Sequence, residues 1–195
     1  MKSISKLQTN EIVINKSRFI TTLAPLECTE DINKIIDFTK NKYKNATHYC
    51  LAYKLDNIKK FDDDGEPSGT AGMPILNVLD NRDLDNIICI VTRYFGGIKL
   101  GAGGLVRAYT KAVTTTLDNA SIITLIKGLE LEIIFKYDNI KQIDYFLKDL
   151  NIISKEYDEL ITYHFLIKKE EYLDILEKLK PLIKSYKVIR ERLIN

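Results

Sequence analysis

The sequence is poor in the residues that mark secreted and membrane proteins. Its 195 residues include no tryptophan and only three cysteines, Cys28, Cys50 and Cys89, which are widely separated. Three unclustered cysteines argue against a disulfide framework and favour a reducing compartment. No run of about 18 apolar residues occurs, and no apolar segment follows the basic residues near the start, so neither membrane insertion nor export is expected. We therefore expect a cytoplasmic protein with no membrane partner.

An excess of charge of one sign is also missing. The 29 basic and 27 acidic residues give a net charge of +2, which identifies no class of partner. Hydrophobic residues make up 45% of the sequence and charged residues 29%, which is typical of a globular protein and excludes a disordered chain. The length allows one large domain or two small ones.

Glycine is scarce and unevenly distributed. Eight of the nine glycines lie within residues 65–104, and Gly128 is the ninth. Because glycine reaches backbone conformations that other residues avoid, such a window marks a place where tight turns or close approach of another group are needed. We therefore expect a functional site within this window.

The second half of the sequence has the clearest secondary-structure pattern. Alternating apolar and polar residues predict strands at about 129–137, 151–157, 161–167 and 185–193. Asp138 is placed to cap the first of two intervening helices, and Pro181 to end the second. The order βαββαβ predicts a ferredoxin-like domain, a sheet covered on one face by two helices. This half has no cluster of catalytic residue types, so a scaffold or docking domain is expected.

The first half mixes strands and helices. The pattern predicts a strand or bent pair of strands over 11–23, a helix from Thr29, a strand over 47–55, a loop over 56–72, a short helix at Pro74, a buried strand over 87–91, and a helix from about Gly104 to Asn119. We therefore predict an α+β protein with two domains, 1–125 and 126–195, the first of which carries the glycine-rich loops.

One half of the glycine window is basic. Residues 93–111 contain four basic residues and no acidic one. Glycines directly before a predicted helix leave unpaired N–H groups at the positive end of the helix dipole, which favours phosphate. The alternative is a glycine loop that serves packing, and the order of residues matches neither a Walker A nor a Rossmann loop. The candidate anion or nucleic-acid residues are Arg93, Tyr94, Gly96, Gly97, Lys99, Gly101, Gly103, Gly104, Arg107 and Lys111.

The other half of the window is acidic. Four carboxylates fall within residues 62–66. Like charges this close together separate the pKa values of the carboxyl groups. They are either a general acid and base pair or a solvated loop whose carboxylates cap nearby N–H groups. An EF-hand is excluded because the required glycine would fall on Pro67. The candidate cleft-lining residues are His48, Cys50, Asp63, Asp64, Glu66, Ser68, Gly69 and Thr70.

Metal and cofactor sites are not expected. His48 and Cys50 lie on one strand face about 7 Å apart, which is beyond the hydrogen-bond reach of a Cys–His nucleophilic pair. A zinc site needs further ligands, and the remaining Cys and His residues fall on unrelated elements. No catalytic residue is identified.

Three segments resemble the YigZ/IMPACT family: HYCLAY at 48–53, DDGEPSGTAGMP at 63–74 and VTRYFGGIKLGAGGLVRAY at 91–109. The second half is similar in length and pattern to the C-terminal domain of the two-domain bacterial YigZ branch. The resemblance implies a first domain like domain IV of translational GTPases and the N-domain of GHMP kinases, a left-handed βαβ superfold. It implies a second domain like domain V of elongation factor G.

Two functional hypotheses follow. The resemblance implies a translation-linked role, and with the basic glycine loop it favours a non-catalytic factor that binds RNA or the ribosome. The alternative is an enzyme that binds a small phosphorylated ligand at the glycine loop, with His48 and the acidic loop 63–66 as acid or base. Carboxylates beside the basic residues would repel a long polyanion and would tolerate a compact substrate.

Overall fold

A computed structural model describes residues 1–55 and 58–194, and it forms two compact units, Met1–Thr124 and Leu125–Asn195. Both units combine helices and strands, so the protein has the predicted α+β fold. The first two residues of the predicted loop 56–72 lie outside the described residues. Among the described residues, no helix is long and apolar enough to cross a membrane.

Unit 1 is built on a five-stranded antiparallel sheet and a separate two-stranded pair. In chain order its elements are β1 (Lys2–Ile4), β2 (Gln8–Ile14), β3 (Ser17–Pro25), α1 (Thr29–Lys42), β4 (His48–Leu55), β5 (Ile58–Asp62), α2 (Gly72–Asn81), β6 (Ile87–Tyr94), α3 (Gly101–Leu117) and β7 (Ile122–Thr124). The strand order of the large sheet is β2-β3-β6-β4-β5. The pair of β1 with β7 joins the start of the unit to its end.

Helices cover both faces of this sheet, which explains its apolar central strand. In β4, Leu51 and Leu55 pack on the cluster beneath α1, whereas Cys50 and Ala52 pack on the cluster shared with α2 and α3. The predicted alternation of this strand is therefore confirmed. Residues 87–91 of β6 are buried on both sides, as the unbroken apolar run predicts.

Two sequence-based boundaries in unit 1 are wrong. The predicted loop over 56–72 contains β5, which pairs with β4 as an edge strand and is exposed along its whole length, so no buried face gives it a sequence signal. Helix α3 begins at Gly101, three residues before the predicted start, because the fold places three glycines inside its first turn despite their low helix propensity.

Unit 2 has the predicted βαββαβ order. Its elements are β8 (Ile126–Phe135), α4 (Ile140–Leu147), β9 (Asn151–Tyr157), β10 (Ile161–Lys168), α5 (Tyr172–Leu179) and β11 (Ile183–Ile194). The sheet order is β11-β8-β10-β9. Helices α4 and α5 pack on the sheet face formed by residues such as Leu131, Ile133 and Phe165.

The ends of the two unit 2 helices differ in how well they are predicted. Helix α5 ends at Leu179, just before Pro181, as predicted. Asp138 does not cap α4: it lies within a 3-10 turn, Tyr137–Asn139, that precedes the helix, and Asn139 occupies the capping position. A short 3-10 turn has no distinct apolar pattern, so the sequence does not separate it from the helix that follows.

Candidate nucleic-acid interface

Arg93, a predicted anion- or nucleic-acid-binding residue, is buried and paired. It lies at the end of β6, where it is 5% exposed, and its guanidinium Nη1 donates to Glu66 Oε1 at 2.5 Å. Phe19 and Phe95 lie on the guanidinium, with ring centroids 5.4 and 5.5 Å from Cζ. Arg93 is not available to a phosphate, because β6 stays inside the sheet up to this residue. Arg93 therefore forms a structural ion pair.

Glu66 is the acceptor at the centre of a buried polar cluster. Its Oε1 also accepts a hydrogen bond from the Tyr109 hydroxyl at 2.8 Å, and Glu66 itself is 8% exposed. The Cys50 thiol lies 3.2 Å from the same hydroxyl and donates to the Asp63 carbonyl at 3.0 Å. Burial raises the pKa of the Cys50 thiol to about 12 and raises the pKa of the Tyr109 hydroxyl. Cys50 is therefore protonated at neutral pH and is not a nucleophile.

His48 connects this cluster to the acidic loop. Its Nδ1 lies 2.7 Å from the Asp64 carbonyl oxygen, which only accepts hydrogen bonds, so Nδ1 carries a proton. Its Nε2 lies 4.0 Å from Glu66 Oε1. The side chain is 20% exposed, whereas that of Glu66 is 3% exposed. His48 thus forms the outer side of the cluster, as a cleft-lining residue would.

The carboxylates of the acidic loop hold the backbone together. Asp63 accepts hydrogen bonds from the N–H groups of Gly69, Ala71 and Gly72, at 2.7, 3.0 and 2.8 Å, and so fixes the segment that begins α2. Asp64 accepts from the N–H group of Tyr49 at 2.6 Å. These contacts match the capping alternative. Both oxygens of Asp63 accept backbone hydrogen bonds, whereas Asp64 accepts this one through Oδ2.

The small residues that follow divide into accessible and packed positions. Ser68 and Gly69 are exposed, and Gly69 has a φ of +74° with open space where a Cβ atom would be. Thr70 is buried and its hydroxyl donates to the Pro67 carbonyl at 2.6 Å. Only the first two positions are therefore open to a ligand.

The first part of the basic loop is engaged in packing. The Tyr94 hydroxyl donates to the Lys44 carbonyl at 3.0 Å, and the Arg18 guanidinium lies 5.1 Å from the centre of its ring. A Cβ atom on Gly96 would lie 2.0 Å from the carbonyl carbon of Lys16. Glycine is therefore required at position 96, because the backbone there lies close to the β2–β3 turn. Arg18 covers one face of the Tyr94 ring.

The second part of the loop is open. Gly97 and Gly101 have φ values of +84° and +68°, and nothing lies near the position of a Cβ atom on either. Gly103 is exposed, and only the Arg107 guanidinium comes within 4 Å of its Cβ position. There is less space at Gly104, where an added Cβ atom would lie 3.0 Å from the Cβ atom of Leu100. The segment 97–103 therefore presents its backbone to solvent.

The remaining basic residues lie on helix α3 or directly before it. Lys99, Arg107 and Lys111 are all exposed, and within residues 1–55 and 58–194 none of them forms an ion pair. The helix has no acidic residue in its first turn and no side-chain cap at Leu100. We call these three cations, with the open backbone of 97–103, the α3 basic surface. No described ion pair compensates its charge, and Lys99 lies beside the positive end of the helix dipole.

Two further lysines lie beside this loop and were not predicted. Lys16 and Lys44 are exposed, and their backbones contact Gly96 and Tyr94 respectively. Both lie in turns far from the glycine window in sequence, so only the fold brings them to it. In the described part of the chain, no group of His, Cys, Asp and Glu is arranged to hold a metal ion.

Comparison with known proteins decides the family. The model of the Impact N-terminal domain matches residues 15–117. The chain belongs to the IMPACT family. The match includes every residue of the α3 basic surface and of the Glu66 cluster, and the family predicted from the three sequence segments is confirmed.

Relatives in this family extend beyond that domain. IMPACT family member YvyE of Bacillus subtilis (strain 168) is 38% identical over 187 residues, which cover 93% of this chain and 86% of that protein. IMPACT family member YigZ of Escherichia coli (strain K12) is 41% identical over 109 residues, 53% of each protein. A crystal structure described as that of a hypothetical protein aligns over 97% of both chains, with a TM-score of 0.69 and 28% identity.

Proposed function

We propose that this IMPACT family member is a non-catalytic, translation-associated factor that binds RNA or the ribosome through the α3 basic surface. The observation that carries the proposal is the uncompensated charge of Lys99, Arg107 and Lys111. Exposed cations without carboxylate partners bind phosphates with the release of counterions, which favours a polyanion.

The backbone beside these cations supports the same partner. Gly97 and Gly101 leave open space where side chains would stand, and α3 begins at Gly101 without an acidic residue in its first turn or a side-chain cap. A phosphate can therefore approach the N–H groups of the first helical turn closely. Phe95 and Ile98, exposed at 46% and 43%, add apolar surface for contact with bases or a ribosomal protein.

The state of the acidic residues favours binding over catalysis. Glu66 is paired with Arg93, and Asp63 accepts three backbone hydrogen bonds. An enzyme that acts on a small phosphorylated ligand would need His48 or a carboxylate of the loop 63–66 to exchange a proton with substrate. Of the carboxylates expected to repel a polyanion, Glu66 is paired with Arg93, and Asp63 and Asp64 accept backbone hydrogen bonds within the loop.

The family resemblance supports a role in translation. It implies similarity to domain IV of translational GTPases and to domain V of elongation factor G. Both are domains of ribosome-associated proteins. Fold similarity alone establishes no function, so the proposal depends on the α3 basic surface and is tested there.

Binding to single-stranded RNA and to ribosomes, measured for the full chain and two double variants, tests the proposal. Lys99→Glu with Arg107→Glu reverses the α3 basic surface, and Lys6→Glu with Lys60→Glu reverses two exposed lysines elsewhere in unit 1. We expect the first variant to lose at least about tenfold in affinity and the second to change little. Equal affinity of the two variants would overturn the proposal.

A further inference from the structure

Unit 2 has a second candidate site, a groove on the outer side of its helices. The groove has a volume of about 510 Å³ and lies between α4 and the turn that follows α5. This volume lies within the range of ligand sites. The α4–α5 groove is lined by Lys141, Tyr145, Phe146, Lys178, Pro181 and Leu182.

The groove is held open by the fold. The Asn139 side-chain amide donates to the Leu182 carbonyl at 2.6 Å and so ties the segment after α5 to the start of α4. Pro181 ends α5 and fixes the local backbone. On the inner side, Ile143 and Leu147 anchor α4 in the core. A partner therefore meets a preformed surface.

The lining combines apolar surface with positive charge. Tyr145 is 65% exposed and makes an edge contact with Phe146, and no acidic residue lines the groove. Lys141 and Lys178 form no ion pair with any described residue. Lys148 lies over the Tyr145 ring, 5.1 Å from its centre, and adds a third cation beside the groove.

We propose that the α4–α5 groove docks an acidic peptide segment that inserts an apolar side chain beside Tyr145 and pairs its carboxylates with Lys141 and Lys178. Charge complementarity selects the acidic partner, and the apolar floor selects the inserted side chain. A single-stranded nucleic acid fits less well, because Lys148 covers one face of the Tyr145 ring that a base would need for stacking.

The test follows backbone amide signals of the ¹⁵N-labelled full chain by NMR during titration with peptides. The probe is a peptide of sequence Glu-Asp-Phe-Asp-Leu-Glu. Its two controls replace Phe and Leu by Gly, or reverse all the charges. We expect saturable shifts around Tyr145 and Leu182 with the probe, and at least about tenfold weaker binding of each control.

Two variants check the electrostatic part. Lys141→Glu with Lys178→Glu should weaken probe binding at least about tenfold. Lys187→Glu is the control, because Lys187 lies opposite Glu132 on β8, on the sheet face turned away from the helices, and it should leave binding unchanged. Circular dichroism verifies that each variant is folded.

Three results would overturn the proposal. The first is that the amide signals of the groove residues do not shift at about 1 mM probe. The second is that the double variant binds the probe as tightly as the wild type, and the third is that short poly-uridine binds at the groove more tightly than the probe. The last result would assign the groove to nucleic acid.

Discussion

At the scale of single residues, Glu66 determines the state of its neighbours. It neutralises the buried Arg93 guanidinium and accepts the Tyr109 hydroxyl, so two buried donors depend on one carboxylate. The Arg93 Nε atom is buried and has no hydrogen-bond partner among the described residues, so the guanidinium already lacks one contact. Removal of the carboxylate would leave a buried charge with little compensation.

The first prediction concerns this pair. Glu66→Ala should lower the free energy of unfolding by about 3–5 kcal/mol, because it strands a buried charge. Urea denaturation measures the loss, and Glu66→Gln, which keeps an acceptor oxygen, should cost less. The matched control is Glu11→Ala, which breaks the exposed Glu11–Arg18 pair and should cost under about 1 kcal/mol. Similar costs for the two alanine variants would refute the structural role of Glu66.

The second prediction separates stability from binding at a glycine. Gly103→Ala should raise the free energy of unfolding by about 0.5 kcal/mol, because alanine is the better helix former and the new Cβ atom has space. The same change should weaken RNA binding, because it places a methyl group on the open backbone of the α3 basic surface.

Gly96→Ala is the contrasting variant. Its Cβ atom would overlap the Lys16 backbone, so the free energy of unfolding should fall by about 1–3 kcal/mol. Urea denaturation and RNA titration of both variants provide the readouts. If Gly103→Ala binds RNA as well as wild type, close backbone approach at this position is not needed.

At the scale of secondary-structure elements, Asp80 links α2 to the β4–β5 hairpin. Its Oδ1 lies 2.8 Å from the Nζ atoms of both Lys54 and Lys59. The hydrogen bonds from Lys54 and then Lys59 lower the pKa of the Asp80 carboxyl below its ordinary value. Lys54 is nearly buried, so this contact also pairs a charge that the sheet holds away from solvent.

The third prediction is the pH dependence of that link. Because the folded pKa of Asp80 is lowered, its contribution is fully present above the unfolded pKa of about 3.9 and disappears as pH falls through the folded value. Asp80→Asn should therefore cost about 1 kcal/mol at neutral pH and progressively less below about pH 4. Urea denaturation of both proteins across this range measures the difference. A cost that does not change with pH would contradict the ion-pair account.

The elements differ in how far the sequence predicts them. Strands with one or two buried faces, such as β4, β6 and those of unit 2, have periodic apolar patterns and were predicted. The exposed edge strand β5 and the short β1–β7 pair have no such pattern. Their formation depends on partners distant in sequence, which a local pattern does not contain.

At the scale of the whole molecule, the fold assigns the charges to separate roles. The sequence placed Arg93 with Lys99 and Arg107 because they share one basic segment, and it placed Glu66 in an acidic loop. The structure pairs Glu66 with Arg93 across 27 residues of sequence and leaves the α3 basic surface uncompensated. The sequence thus indicates the region of the proposed site, and tertiary pairing decides which of its charges remain available.

The salt dependence of RNA binding tests the central claim most directly. Three phosphate contacts predict a slope of about −2 for log affinity against log salt concentration on single-stranded RNA, at about −0.7 per contact. The double variant Lys99→Glu with Arg107→Glu should reduce the magnitude of the slope by about 1.4, whereas Lys6→Glu with Lys60→Glu should leave it unchanged. A flat salt response of the wild type, or the same slope for all three proteins, would contradict RNA binding through the α3 basic surface.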